Sequence, residues 1–421
     1  MRKILPISDS QASHLSTDHE RLLHCLLRQP RRLIIQDLDG VCMGLVRDPL
    51  TRELSANYLQ AAQKLSGSFY VLTNGEHIGL RGVNGLVDRA VGRDLAKQNG
   101  LYLPGLGAGG VQWQDQFARV HHPGVSEQEI AFLASLPAAF QKSLSSLLRS
   151  SPYDLEINQL DRLLTAAVLD NPVSPTININ EFRSLFAQTP ELLLRLQKDI
   201  KHILEYHLEQ AEQKQLADSF FIHYAPNLGR DQKGERLKWS QGDDVGTTDF
   251  QFMLTGAMKE VGVLYILNQY YFEITGSYPL GQDFNVRQAP RDIESLVNLV
   301  VTHFDPAHMP MIMGVGDTVT SQPESDSSKQ MLRGGSDRGF LNLIQRLGEH
   351  FQNQNLVVFV DSSGGELVRP SINPELLNSS QGRWSALEGV TDAEDPLRIN
   401  YVFPNGHSEY ISLFCRLSEQ V

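Results

Sequence analysis

Short apolar runs recur along a chain that is otherwise mixed in character. Leu33-Ile34-Ile35, Phe69-Tyr70-Val71-Leu72, Met311-Ile312-Met313-Gly314-Val315 and Leu356-Val357-Val358-Phe359-Val360 each end at small polar, glycine or acidic residues. Runs of this length without alternation read as strands buried on both faces, as in a parallel sheet. Leu101-Tyr102-Leu103 predicts a further short strand. Longer stretches follow a helical period instead. An amphipathic helix is expected near residues 19–27, and long helices over 126–149 and 180–216, where Ile200, Ile203, Leu204 and Leu208 share one face. A strand is predicted at 219–224, and helices at 250–268 and 290–300, the last with Pro290 suited to its first turn.

The chemistry gathers where the apolar runs stop. Asp37-Leu38-Asp39-Gly40 closes the first run. On an extended backbone residues i and i+2 point the same way, so Asp37 and Asp39 face one site at the carboxyl edge of a sheet, where open α/β folds bind ligands. Gly40 permits a sharp turn and close approach of a ligand to the main chain. Two neighbouring anions repel unless a cation or a proton lies between them. That arrangement suits phosphoryl transfer, although a solvated turn closing a strand is the plain alternative. The second run ends in Thr73-Asn74-Gly75 and the third in Gly316-Asp317. The Thr73 hydroxyl and the N–H groups after it could hold phosphate oxygens. Asp317 could complete an all-oxygen shell for Mg²⁺.

Composition narrows the classes. The chain has 421 residues, 41% hydrophobic and 20% charged, long enough for two folded units. A formal net charge of −12 argues against nucleic acid and against anionic membranes as partners. Cys25, Cys42 and Cys415 are widely spaced and show no zinc pattern, which suits a reducing cytoplasm. Cys42 reads as a small packing residue. No apolar stretch approaches a membrane span, and no signal-type segment follows Met1-Arg2-Lys3. Gly105-Leu106-Gly107-Ala108-Gly109-Gly110 formally matches a dinucleotide fingerprint, but the residues after it look extended where that fingerprint needs a helix, so a glycine-rich turn is expected.

Asp37-x-Asp39-Gly40, the strand ending at Thr73, and Gly316-Asp317, in this order, resemble the haloacid-dehalogenase-like phosphatases. Residues 36–43 and 313–321 are most similar to the cyanobacterial glucosylglycerol-phosphate phosphatases. The resemblance implies an α/β fold: a Rossmann-like parallel-sheet core of haloacid-dehalogenase type with a large inserted α+β cap. The expected division is an N-terminal arm and helix over 1–30, core over 31–116, cap over 117–281 and core again over 282–421. An insertion there explains why the first two motifs fall within 37–73 while the third waits until 317.

By the same resemblance Asp37 is the nucleophile that becomes an aspartyl phosphate, and Asp39 the general acid and then base. Thr73 binds the transferring phosphoryl group. Asp37, Asp39 (through its carbonyl) and Asp317 hold Mg²⁺. Such enzymes usually carry a lysine at the start of the helix before the Gly-Asp strand. Arg291 is the cation at that place, with Lys259 the lysine alternative; a solvated first-turn arginine is the plainer reading. Many relatives also carry a second acid four residues after the first, where this chain has Ser321. Asp326 is one substitute and a water another. Gly40, Asn74, Glu76, His77, Lys259 and Ser321 are the candidate substrate contacts.

The expected activity is Mg²⁺-dependent hydrolysis of 2-O-glucosylglycerol phosphate, a small-molecule sugar phosphate, in compatible-solute synthesis under salt stress. Functional coupling to the glucosylglycerol-phosphate synthase is expected on metabolic grounds. A sucrose- or trehalose-phosphate phosphatase would share the core chemistry. A phosphosugar-sensing protein without turnover is the alternative of another class.

Overall fold

The structure, a computed structural model, describes residues 15–421 except 232–233, 243, 325–326, 368 and 378–382. Residues 1–14 of the expected N-terminal arm and Asp326 therefore lie outside the described residues.

The four apolar runs beginning at Leu33, Phe69, Met311 and Leu356 each form a strand of one eight-stranded sheet. Its order is Tyr401–Phe403, Leu356–Val360, Met311–Gly316, Arg32–Gln36, Phe69–Leu72, Gly105–Gly107, Gln112–Gln114 and Val120–His121. The first six run parallel, Gln112–Gln114 runs antiparallel to them, and Val120–His121 pairs antiparallel with Gln112–Gln114. Both faces are covered, which is why these strands read as unbroken apolar runs. Ile34, Phe69 and Met313 pack on one side with Leu26, Tyr58 and Phe414. Leu33, Ile35 and Leu72 pack on the other with Leu264, Val300 and Ile344. Register decides what meets at the carboxyl edge. Gln36 pairs with both Val315 and Val71, so the chain leaves the three central strands at one level.

The glycine-rich segment is a strand, Gly105–Gly107, then a tight turn over Ala108–Gly110 and the strand Gln112–Gln114, with no helix as a dinucleotide site requires. It displaces the strand expected at 101–103, whose residues are buried but irregular.

The insertion carries a four-stranded antiparallel sheet ordered Val168–Leu169, Thr176–Asn178, Asp249–Leu254 and Phe220–Ala225. The helices Glu127–Leu148 and Pro190–Gln213 cover one of its faces: Phe132, Leu136 and Ile200 share a core with Ile177, Phe250 and Phe252. The first of these helices starts at a capping box between Ser126 and Glu129. The helix expected over 180–216 is two, Asn180–Leu185 and Pro190–Gln213. Thr189 precedes a proline and adopts a non-helical conformation (φ −139°, ψ 64°).

Other expectations require correction. Residues 250–268 are not one helix: Asp249–Leu254 is a strand and the helix is Lys259–Thr275. That helix packs on the core sheet rather than the cap, where Gly262 sits so close that a Cβ would lie 2.6 Å from the Leu72 side chain. Val120–His121 likewise joins the core sheet, so both ends of the expected 117–281 insertion belong structurally to the core. The segment after the third motif, where the sequence reads as a polar loop over 321–329, is a hairpin, Thr320–Glu324 with Ser327–Gly334, whose base docks on the cap hairpin strand Asn227–Asp231.

Candidate active site

The carboxyl edge of the sheet brings Asp37, Asp39, Thr73, Asn74, Gly75 and Asp317 into one cleft. Asp37 is 7% exposed. Its N–H donates to the Val315 carbonyl at 2.9 Å and its Oδ1 accepts the Leu38 N–H at 2.8 Å, so the main chain fixes its direction. Gly40 turns at φ +80°, and a Cβ there would lie 2.1 Å from Asp317 Oδ2. Only glycine permits both the turn and that approach. Thr73 is buried, with its hydroxyl oxygen accepting the Gly75 N–H at 3.1 Å.

Lys259 comes from the first turn of its helix and is 3% exposed. Its Nζ lies 3.0 Å from Asp37 Oδ2 and 2.7 Å from Asp337 Oδ1. Lys259, not Arg291, is therefore the cation beside the proposed nucleophile. Arg291 is exposed before the helix Ile293–His303 and does not line the cleft.

Asp337 was not foreseen. It is fully buried, and its Oδ2 accepts the N–H groups of Asp317 and Thr318, each at 2.9 Å. Gly316 leaves it room: a Cβ there would lie 2.7 Å from Asp337. Asp337 supplies the second acid sought at Ser321, delayed in sequence by the intervening hairpin. Ser321 instead donates to Asp392, which Arg333 also holds, outside the cleft.

Asp37, Asp317 and Asp337 offer carboxylate oxygens that all lie within 4.8 Å of one another. One lysine among three buried acids leaves uncompensated negative charge. Burial raises the Asp37 carboxyl to about 7, with Asp337 and Asp39 adding to the effect and Lys259 opposing it. Burial, then repulsion from Asp337 and Asp37, pushes Asp317 well above the carboxylate range. Burial disfavours the Lys259 ammonium, but the two carboxylates outweigh it and keep the proton on. Asp317 Oδ2 is buried with no hydrogen-bond partner among the described residues; the Ser362 hydroxyl is beside it but out of bonding geometry. An orphaned carboxylate oxygen in an all-oxygen cluster fits a hard divalent cation such as Mg²⁺.

Asp39 is partly exposed and is gripped by Arg52, whose Nη1 lies 3.1 Å from Oδ2 and 3.3 Å from Oδ1. Arg52 is itself buried and anchored to the Pro49 and Arg81 carbonyls. Nothing in its spacing marked it. Arg369 also lines the cleft, and its Nε has no partner among the described residues.

The remaining candidates separate. Asn74 lines the cleft and is 2.8 Å from His223 of the cap. Glu76 borders the cleft, but its carboxylate accepts from Val173 N–H, the Ser174 hydroxyl and Gln112, so it ties cap to core. His77 is wholly buried against the Gly105 carbonyl and is not a lining residue. Burial pushes the Cys42 thiol up, consistent with a packing role.

The family model described as Glucosylglycerol-phosphate phosphatase (Salt_tol_Pase) matches residues 31–418. The glucosylglycerol-phosphate phosphatase of Synechocystis sp. is 47% identical over 410 residues, 96% of each chain. Among solved structures, the trehalose-6-phosphate phosphatase C-terminal domain of C. albicans is similar at TM-score 0.45 and 10% identity, over 97% of this chain and 99% of that one. The Aspergillus fumigatus trehalose-6-phosphate phosphatase gives 0.40 and 10%, over 96% and 99%.

Proposed function

This chain belongs to the glucosylglycerol-phosphate phosphatase family, and from that premise we propose that it hydrolyses 2-O-glucosylglycerol phosphate to glucosylglycerol and phosphate. The observation that carries the chemistry is the buried meeting of Asp37 with Lys259, with Asp317 at the end of the neighbouring strand and with Asp337 at the start of the helix Arg338–Phe351.

An Asp37 oxygen attacks phosphorus while the bond from phosphorus to the substrate oxygen breaks. Asp39 faces the same cleft and gives its proton to the departing oxygen, leaving an aspartyl phosphate and free glucosylglycerol. Asp39 then takes a proton from water as that water attacks phosphorus, which releases phosphate and restores Asp37. Lys259 holds Asp37 in line and keeps a positive charge beside it throughout. Asp337 fixes the loop carrying Asp317 through the two N–H groups it accepts. Thr73 and the N–H groups after it bind the transferring oxygens. Asp37, Asp317 and the Asp39 carbonyl would hold Mg²⁺, which would neutralise charge as one anion attacks another.

We place this reaction in the cytoplasm, in compatible-solute synthesis under salt stress, following the synthase that supplies the phosphate ester. The test is phosphate release from a panel of glycosyl phosphates with and without Mg²⁺. Preferential, Mg²⁺-dependent release from glucosylglycerol phosphate supports the reading. Preference for sucrose or trehalose phosphate would reassign the substrate, and no release from any of them would favour a sensing protein.

A further inference from the structure

The cap sheet has two unlike faces. Along Asp249–Leu254, Phe250 and Phe252 point into the cap core, so Asp249 and Gln251 point the opposite way. Directly paired residues share a face: Asp249 pairs with Asn178, and Gln251 with Thr176 and His223. A polar patch thus covers the face turned from the cap helices. Asn178, Asp249 and Gln251 line the same cleft as Asp37, Asp39 and Thr73.

This patch is both built and incomplete. Asn178 donates to Asp249 Oδ1 at 2.9 Å, Thr248 donates to Asp249 Oδ2 at 3.0 Å, and Asn178 Oδ1 accepts the Asn180 N–H at 2.9 Å. The carboxylate is therefore locked in orientation. Gln251 is 7% exposed, yet its Oε1 has no hydrogen-bond partner among the described residues. A buried amide left unpaired in a ligand cleft marks a place where a ligand group completes the bonding. The patch's own side chains are acceptors and amides, which suit hydroxyl donors, while Arg369, lining the same cleft, acts electrostatically on both Asp249 and Asp317.

Resting on the phosphatase reading above, we propose that Asn178, Asp249 and Gln251 form the subsite that recognises hydroxyl groups on the uncharged glycosyl-glycerol half of the substrate. Asp249 and the Gln251 carbonyl accept from those hydroxyls, and Asn178 keeps Asp249 aimed. Phosphate remains at the core edge, away from the cap carboxylate.

The experiment compares kcat/KM for glucosylglycerol phosphate and for p-nitrophenyl phosphate, which carries no sugar hydroxyl, in wild type, Gln251→Met and Asp249→Asn. The expected result is a fall of about tenfold or more in the glycosyl-to-aryl ratio for each variant. Gln251→Met should retain or raise the Tm, because it removes an unpaired buried group. A ratio unchanged in both variants, whether through equal losses or no loss, would overturn the subsite. A wild-type enzyme that hydrolyses the aryl ester but no glycosyl phosphate would overturn the functional reading beneath it, a result distinct from failure of the subsite alone.

Discussion

Lys259 Nζ lies 3.0 Å from Asp37 Oδ2, although one begins a helix after the cap and the other ends the first strand of the core. This ion pair, shared with Asp337, joins the two halves of the core around the site. Removing the lysine leaves buried carboxylates without their cation, which costs about 3–5 kcal/mol. Lys259→Met is therefore expected to abolish turnover and lower the Tm markedly, while the exposed Arg291→Ala leaves both near wild type. Phosphate-release kinetics and thermal denaturation of the two variants check the contrast; a large catalytic loss in Arg291→Ala would contradict it.

That contrast also shows what the linear chain reveals. Asp37, Asp39, Thr73 and Asp317 were legible because each follows an apolar run, and the common register of the central strands then brings them together. The partner of Asp37 was less accessible. Arg291 lies in the segment immediately before the Met311–Gly316 strand, whereas Lys259 reaches the site because Gly262 lets its helix pack against Leu72. A helix continued backward through Asp249–Leu254 hid a strand: Phe250 and Phe252, two positions apart, share a face only on an extended backbone, with Asp249 and Gln251 on the other. Asp337 escaped notice because a hairpin separates it from Asp317, and sequence spacing carries no information about a closed excursion of the chain.

Asp337 has a specific consequence for metal dependence. It holds the Asp317 loop by two backbone N–H groups and holds Lys259 by its other oxygen. Asp337→Asn retains the shape but loses the charge. The variant should need about tenfold or more Mg²⁺ for half-maximal activity, in the range seen when groups supporting metal ligands are replaced. A Mg²⁺ titration of phosphate release measures this, and an unchanged midpoint would remove Asp337 from the metal's environment.

Gly40 tests the closeness of the two strand ends. Its φ of +80° disfavours any side chain, and a methyl group would overlap Asp317 Oδ2. Gly40→Ala should lose about 1–3 kcal/mol of stability through backbone strain, and turnover should fall further as Asp317 is displaced. Denaturant unfolding alongside kinetics would detect both; wild-type behaviour would mean the loop relaxes freely.

The cap hairpin contributes a pH dependence separate from catalysis. Burial works to raise the Glu235 carboxyl, but His223 and then Arg230 and the Tyr224 N–H outweigh it and hold the group down at about 2, against 4.5 ordinarily. A depressed folded-state value means the stabilisation is present above 4.5 and fades as pH falls toward 2. Its full size is about 3 kcal/mol. The stability difference between wild type and Glu235→Gln, from urea unfolding at fixed pH values between 6 and 2.5, should therefore shrink as the solution is acidified. A difference that stays constant would show that Glu235 is not held in its charged form.

The central claim is that Asp37 itself accepts phosphorus. Rapid acid quench of the enzyme during turnover of ³²P-labelled substrate, followed by peptide mapping, addresses it directly. The expected result is acid-stable, base-labile label confined to the peptide containing Asp37 and missing from Asp37→Asn. Label on another residue, or an Asp37→Asn enzyme that still releases phosphate at the wild-type rate, would contradict the account.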